Sequence, residues 1–297
     1  MDIRIVGVDG DTVTTHGAGT ATDGIWLAEP GLQKNVWRMP TDTEWTSARR
    51  ERGARHIGTT IPAADLTLGF HVVGDDVFEV EDRLDNLFSF GLDPWDEGAR
   101  LARIEVETAN DFRWREVQRF EAPELILEGD AEDQGYVGAI ESLRAGSPAW
   151  RSADHVTAWE TGGSSGSGTV EVWNPTPLPM FHTWVLTPGE WVLPDVSWVG
   201  SKGRRSPGGE FGGRSVTVTV TSAHGGARVN LDPMRLMIEA LDGSNILGAA
   251  AGGYFFMHEI PPHTPRTELP VSVSGASGGA RVELHQPRHW TKPWGGY

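Results

Sequence analysis

Apolar and polar residues alternate with a period of two along much of this chain, and over one stretch the period changes to that of a helix. Ile3 and Ile5, with a shift to Val6 and Val8, predict a first strand closed by the turn pair Asp9-Gly10. Residues 24–27, 36–38 and 44–46 are further short strand candidates separated by Pro and Gly. Leu66, Leu68 and Phe70 alternate with Asp65, Thr67 and Gly69, a strand with one buried face. Val77, Val80, Leu84, Leu87 and Phe88 then fall at helical spacing, with Asp76 and Glu79 as a capping pair and Gly91 as the stop. Residues 102–107, 112–121, 125–128 and 136–144 read as strands again. The N-terminal half is therefore predicted to be mostly sheet with one packed helix.

The pattern breaks at residues 162–168, which are only Gly and Ser. Such a run buries no side chain and reads as a mobile loop or linker. Residues 155–160 and 169–173 on either side look like strands, so the run is either a tether or the loop of a hairpin. The hairpin is the preferred reading, and it places a domain boundary near Ser152, giving domains 1–152 and 153–297. Beyond it, Asn174-Pro175 stops a strand, and Pro177 and Pro179 exclude helix through Met180. Phe181, Trp184, Val185, Trp191 and Val192 are the apolar residues between the turn signals Pro188-Gly189 and Pro194-Asp195.

The C-terminal half is more purely β. Val216, Val218 and Val220 alternate with threonines, and Leu236, Ile238 and Ala240 alternate with Arg235, Met237 and Glu239. Residues 218–231 (VTVTSAHGGARVNL) echo residues 271–284 (VSVSGASGGARVEL), which predicts two similar hairpins in one sandwich. The Gly-rich stretch 200–213 is expected to be a long flexible loop.

Composition narrows the chemistry. Cysteine is absent, so disulfides, thiol nucleophiles and thiolate metal sites are excluded together. Forty-one acidic against 25 basic residues give a net charge of -16, which argues against a surface that grips nucleic acid or anionic lipid. No apolar run approaches membrane-spanning length and no signal peptide is recognised at the N-terminus, so neither membrane insertion nor signal-dependent secretion is expected. The 13 tryptophans supply large contact areas, either in two Trp-rich β cores or at assembly interfaces.

Motifs for chemistry are weak. His258-Glu259 and His263 miss the zinc-protease spacing by one residue, and Pro261-Pro262 between them excludes the helix that motif needs. Asp130, Glu132, Gln134, Gly135 and Glu141 match positions of a calcium loop, but the flanking segments alternate like strands and read as an acidic hairpin turn. Asp93, Asp96 and Glu97 form an acidic cluster of the kind a glycosidase pair could use, although carboxylates are abundant throughout. There is no G-x-S-x-G elbow, P-loop or dinucleotide fingerprint. No enzyme, cofactor or metal site is expected.

Asn174-Pro175, Trp184, Trp191 and Pro194-Asp195 together resemble the minor tail proteins of actinobacterial siphophages, of the distal tail (Dit) family. The resemblance continues through Asp232 in Asn230-Leu231-Asp232-Pro233, Asp242-Gly243, Ile260-Pro261-Pro262, then Pro287 and Trp290 in Gln286-Pro287-Arg288-His289-Trp290, and Trp294. Residues 66–69 and the helix from Val77 resemble the family's first domain. The resemblance implies a mainly β protein of two domains: an N-terminal β-sandwich-like ring domain with one packed helix, and a C-terminal galectin-like β-sandwich. It further implies a homohexameric virion ring at the distal end of a long non-contractile tail, assembled in the host cytoplasm. Its implied partners are the tail tube protein, the tail hub or tail-associated lysin, and other tail-tip proteins. Genome DNA would pass its channel without specific binding. The competing expectation is a carbohydrate-binding adsorption module in the C-terminal sandwich.

Overall fold

The computed structural model describes residues 1–29, 32–89, 100–127 and 129–296. The chain forms two compact units, residues 1–151 with 291–296, and residues 152–290. The sequence expectation kept the whole C-terminus in the second domain. Instead, Thr291–Gly296 belongs to the first unit.

In the first unit the strands are β1 (Asp2–Val6), β2 (Thr12–His16), β3 (Ile25–Leu27), β4 (Asp42–Thr46), β5 (Arg55–Thr60), β6 (Ala64–Val73), β7 (Ala102–Glu107), β8 (Phe112–Arg119), β9 (Glu124–Ile126) and β10 (Tyr136–Ala145). Hydrogen-bonded neighbours follow the order β2-β1-β7-β8-β10-β6-β3, with β9 also on β10. The alternation in β6 buries Leu66, Leu68 and Phe70, as the two-residue period requires. Helix α2 (Val77–Leu87), which follows the one-turn helix α1 (Thr20–Asp23), packs on β6 and β10 through Val77, Leu84 and Leu87. Its start is the expected one, since the Asp76 carboxylate accepts the Glu79 N–H at 3.1 Å. Phe88 is the C-cap residue, and the expected stop Gly91 lies outside the described residues, as does the Asp93, Asp96 and Glu97 cluster.

Residues 36–38 are not a strand. Asn35 adopts a left-handed φ of 56°, the Val36 carbonyl accepts a hydrogen bond from the buried Arg115 side chain, and the Met39 N–H donates to Thr291. Their polar groups are met by a side chain and the returning C-terminal segment instead of a ladder. Between β9 and β10, α3 (Ala131–Gln134) is capped by Asp130 and ended by Gly135 at φ 58°. The acidic turn is thus a hairpin connection with one helical turn inside it.

The second unit is a β-sandwich. Its strands are β11 (Trp150–Thr161, whose first two residues belong to the first unit), β12 (Gly166–Asn174), β13 (Thr183–Leu186), β14 (Gly189–Pro194), β15 (Trp198–Val199), β16 (Ser206–Pro207), β17 (Ser215–Val220), β18 (Ala227–Asn230), β19 (Ile238–Ala240), β20 (Thr264–Ser274) and β21 (Ala280–Trp290). Helix α4 (Leu247–Ala251) follows β19. One sheet has the order β19-β18-β13-β21-β11; the other is four-stranded, β12-β20-β14-β17. Trp184, Leu186, Val229, Val282 and Leu284 from the first meet Val172, Trp191, Leu193, Val218 and Val271 from the second in one buried cluster. Each such side chain contributes about 1.5–3 kcal/mol when removed from water.

Several local expectations are corrected by the structure. The strands either side of the Gly/Ser run do not form a hairpin: β11 lies beside β21, whereas β12 pairs with β20 in the other sheet. The run is also not all loop, because its last residues, Gly166 to Gly168, are already in β12. The Trp159 indole lies over Gly168 so closely that an added Cβ would sit 2.0 Å from its Nε1. Glycine is there to seat a tryptophan.

The two echoed segments are not hairpins either. Both pass from the four-stranded sheet into the facing one, as β17 to β18 and β20 to β21. Finally, Leu236 is exposed and the strand starts only at Ile238, while residues 200–213 contain β16, paired with β15.

Candidate functional site

The residues singled out by the family resemblance do not converge on one reactive centre. They act as clamps and core anchors. Asn174, fully buried at the end of β12, donates from Nδ2 to the carbonyls of Leu178 (2.9 Å), Ile260 (3.1 Å) and Pro261 (3.0 Å). Its Oδ1 accepts from the Thr176 N–H and hydroxyl. The next residue, Pro175, is half-buried in the turn. Asp195, buried just past Pro194 at the end of β14, accepts the N–H groups of Met257 and His258, and pairs with Arg214 at 3.0 Å. Asn174 and Asp195 therefore pin both ends of the segment from Met257 to Pro261. An amide or carboxylate that satisfies several backbone groups this way fixes a loop whose own backbone pairing includes a bridge between Ile260 and Met180.

His258 and His263 sit on this segment and not on a helix. His258 Nδ1 is 3.4 Å from Asp195, and His263 has a left-handed φ of 54°. Asp232 accepts the Met234 N–H. Asp242 accepts from the Ser244 hydroxyl and N–H and from His224, and these bonds hold its carboxyl down at about 2. Gly243, at φ 86°, completes that turn.

Trp184 and Trp191 are fully buried core residues of β13 and β14. The Trp191 indole N–H donates to Thr187, and its ring meets Trp159 edge-on. Beside Trp184 lies His182, whose pKa burial lowers to about 3, so it is neutral at physiological pH. Pro287 is half-buried in β21, and Trp290 donates to the Ser152 hydroxyl at 3.0 Å. Trp294, in contrast, belongs to the first unit, where it packs on Trp37, which stacks on Trp150.

Sequence reasoning missed the buried cations of the first unit. Arg113 donates to the Lys292 carbonyl and to Asp111, and Asp111 also accepts the Gly295 N–H, so these groups tie the C-terminal segment down. Arg115 lies 4.7 Å over the Trp150 ring, and burial alone pushes its pKa down to about 10. Arg119 forms a two-bond pair with Glu141, whose carboxyl is pushed up by burial against the pull of Arg119. Glu141 was the last position of the calcium-loop pattern; here it is occupied by a guanidinium, and the Asp130 carboxylate caps α3. The signal available for these residues was Arg and Glu at inward positions of alternating strands, easily mistaken for edge charges.

No protein-family model matches the sequence, and no curated protein matches it significantly. Solved structures do. The Dit protein (gp 19.1) of phage SPP1, described as a paradigm of the hub adsorption apparatus in phages infecting Gram-positive bacteria, is similar over 96% of this chain and 98% of its own, with a TM-score of 0.55 at 12% identity. The fold is that of the SPP1 Dit protein. A chain of the phage P2 baseplate in its activated conformation is similar over 97% of both chains, with TM-scores of 0.50 with calcium and 0.51 with strontium, at 7% and 8% identity. These neighbours are structural phage tail and baseplate proteins, and the similarity embraces both units.

Proposed function

We propose that this chain is a structural virion protein, a distal tail hub ring built from six copies at the end of a long non-contractile phage tail. The ring would form through the first unit and join the tail tube to the hub or tail-associated lysin, with the second unit as a galectin-like domain. The observation that carries this reading is the similarity to the SPP1 hub protein along essentially the whole of both chains. Two further features agree with it. The quoted motif residues are spent on holding loops and core together, and the acidic chain suits a channel that DNA must cross without being retained. Six copies related by rotation close a ring through one repeated heterologous interface. Cryo-electron microscopy of assembled tails tests the reading: six copies are expected at the distal end, and absence of the protein from purified virions overturns it.

One observation favours glycan binding as a second reading. Trp173 lies half-buried beside Arg266, Arg288 and His155, a set of residue types that bind sugars. The guanidinium groups of Arg266 and Arg288 are already 4.2 Å and 4.5 Å from its ring, so a sugar would have to displace one of them. A glycan array with the intact protein, alongside W173A, decides this; binding lost in the variant supports it.

A further inference from the structure

Strands β4 and β5 stand apart from the rest of the first unit. They pair only with each other, as a separate two-stranded sheet. Every residue of β4 is exposed, and only Gly58 of β5 is even half-buried. Trp45 and Ile57 are each 57% exposed and Ile61 49%. An isolated two-stranded ribbon is marginal in water, because neither face has anything to pack on. Large apolar side chains on such a ribbon mark a surface meant to be covered.

The charge of the ribbon identifies its cover. In a chain of net charge -16, the turn between Ser47 and His56 carries Arg49, Arg50, Arg52 and Arg55 against a single acid, Glu51. Arg55 pairs with Glu51. Arg49, Arg50 and Arg52 are exposed and carry no ion pair among the described residues. The complement is on the same unit. A groove of about 370 Å³ between α2 and the β1–β2 turn is lined by Asp9, Asp11, Glu79, Asp82 and Arg83, with Leu87 at its floor. Asp11 is taken by Arg83 at 2.8 Å. Asp9, Glu79 and Asp82 are exposed and have no cationic partner among the described residues. Burial first, and then the neighbouring Asp85 and Asp82, push the Glu81 carboxyl up against the opposing pull of Arg119.

We propose that the β4–β5 ribbon is an intersubunit arm, whose arginine tip docks in the acidic α2 groove of a second copy of this chain. Trp45 and Ile57 cover apolar surface on the way. Arm and groove are different surfaces of one subunit, so the contact is heterologous and repeats from copy to copy. The inference rests on the self-assembly in the hub reading and names the surfaces that would make it. Guanidinium forks facing carboxylates also set register and partner choice, beyond adding affinity.

The test uses the full chain as equal mixtures of isotopically light and heavy protein, with a photo-reactive residue at Ala48, both at high concentration and in tails assembled in infected cells. Adducts joining light and heavy copies, from the arm to α2 or the β1–β2 turn, are expected. R49E/R50E/R52E should lower adduct yield at least about tenfold, as should raising the salt. E79K/D82K should do the same, and the two sets combined should restore much of the yield. These exposed substitutions leave the fold intact, which circular dichroism verifies. Absence of adducts between copies in both settings overturns the proposal. So does an arm that crosslinks to another tail protein or to DNA, or a combined variant as defective as its parents. If the hub reading alone fails, the protein is missing from virions while adducts between copies persist.

Discussion

The two units hold themselves together by different means. In the second unit the buried cluster is apolar, with Trp184 and Trp191 at its centre, and the polar groups buried beside it include clamps such as Asn174 and Asp195 at the ends of strands, Gln286 within β21 and the neutral His182. In the first unit three arginines, Arg113, Arg115 and Arg119, run along a single strand into buried or nearly buried positions. A facing pair of sheets can fill its interior with side chains from both sides. The first unit buries apolar side chains too, such as Ile5, Leu66 and Phe70, and in addition spends guanidinium groups on the carbonyls of Val36 and Lys292. Such groups are costly to desolvate, so the first unit is the one in which a polar-to-apolar change is expected to be tolerated.

The comparison breaks most sharply at Trp184. W184A leaves a large cavity among β13, β18 and β21, and should cost about 3–5 kcal/mol, read as loss of hydrogen-exchange protection confined to the second unit. Equal loss in both units would show that they do not have separate cores.

A smaller effect follows from His182. Its folded pKa, about 3, lies below the unfolded value near 6.5, so the unfolded chain binds the proton first as pH falls. This contribution to stability is intact above about pH 6.5 and is lost progressively toward pH 3. Between pH 7 and pH 4 the second unit should lose roughly 3 kcal/mol through this residue. Urea unfolding across that range should show a flatter pH dependence in H182Q than in the parent.

The smallest effect is expected at Arg115. R115M removes a buried charge that has no carboxylate partner among the described residues and keeps most of the volume against Trp150. Thermal melts should move by no more than about 1 kcal/mol equivalent, in either direction. A loss as large as that of W184A would mean that the hydrogen bond to Val36 and the contact with Trp150 organise the first unit.

The periodic elements were legible in the sequence. Alternation at Leu66, Leu68 and Phe70 gave β6, the spacing from Val77 to Leu87 gave α2, and Asp76 with Glu79 gave its start, since each depends on residues only a few positions apart. What alternation cannot report is the sheet a strand joins. A buried face looks the same whether the next strand pairs beside it or crosses to the opposite sheet, and so alternation in the echoed segments 218–231 and 271–284 predicts hairpins where both cross the sandwich. The clamps were hidden for a related reason. Asn174 meets the carbonyl of Ile260, and Arg113 meets that of Lys292, groups far away in the chain that come together only once the strands are assembled. The same holds for Gly168, which composition offered as flexibility and Trp159 turned into a packing contact. Local periodicity fixed the strands and the helix of this protein; their pairing, and the polar bonds that hold its loops, were decided by contacts that exist only in the folded chain.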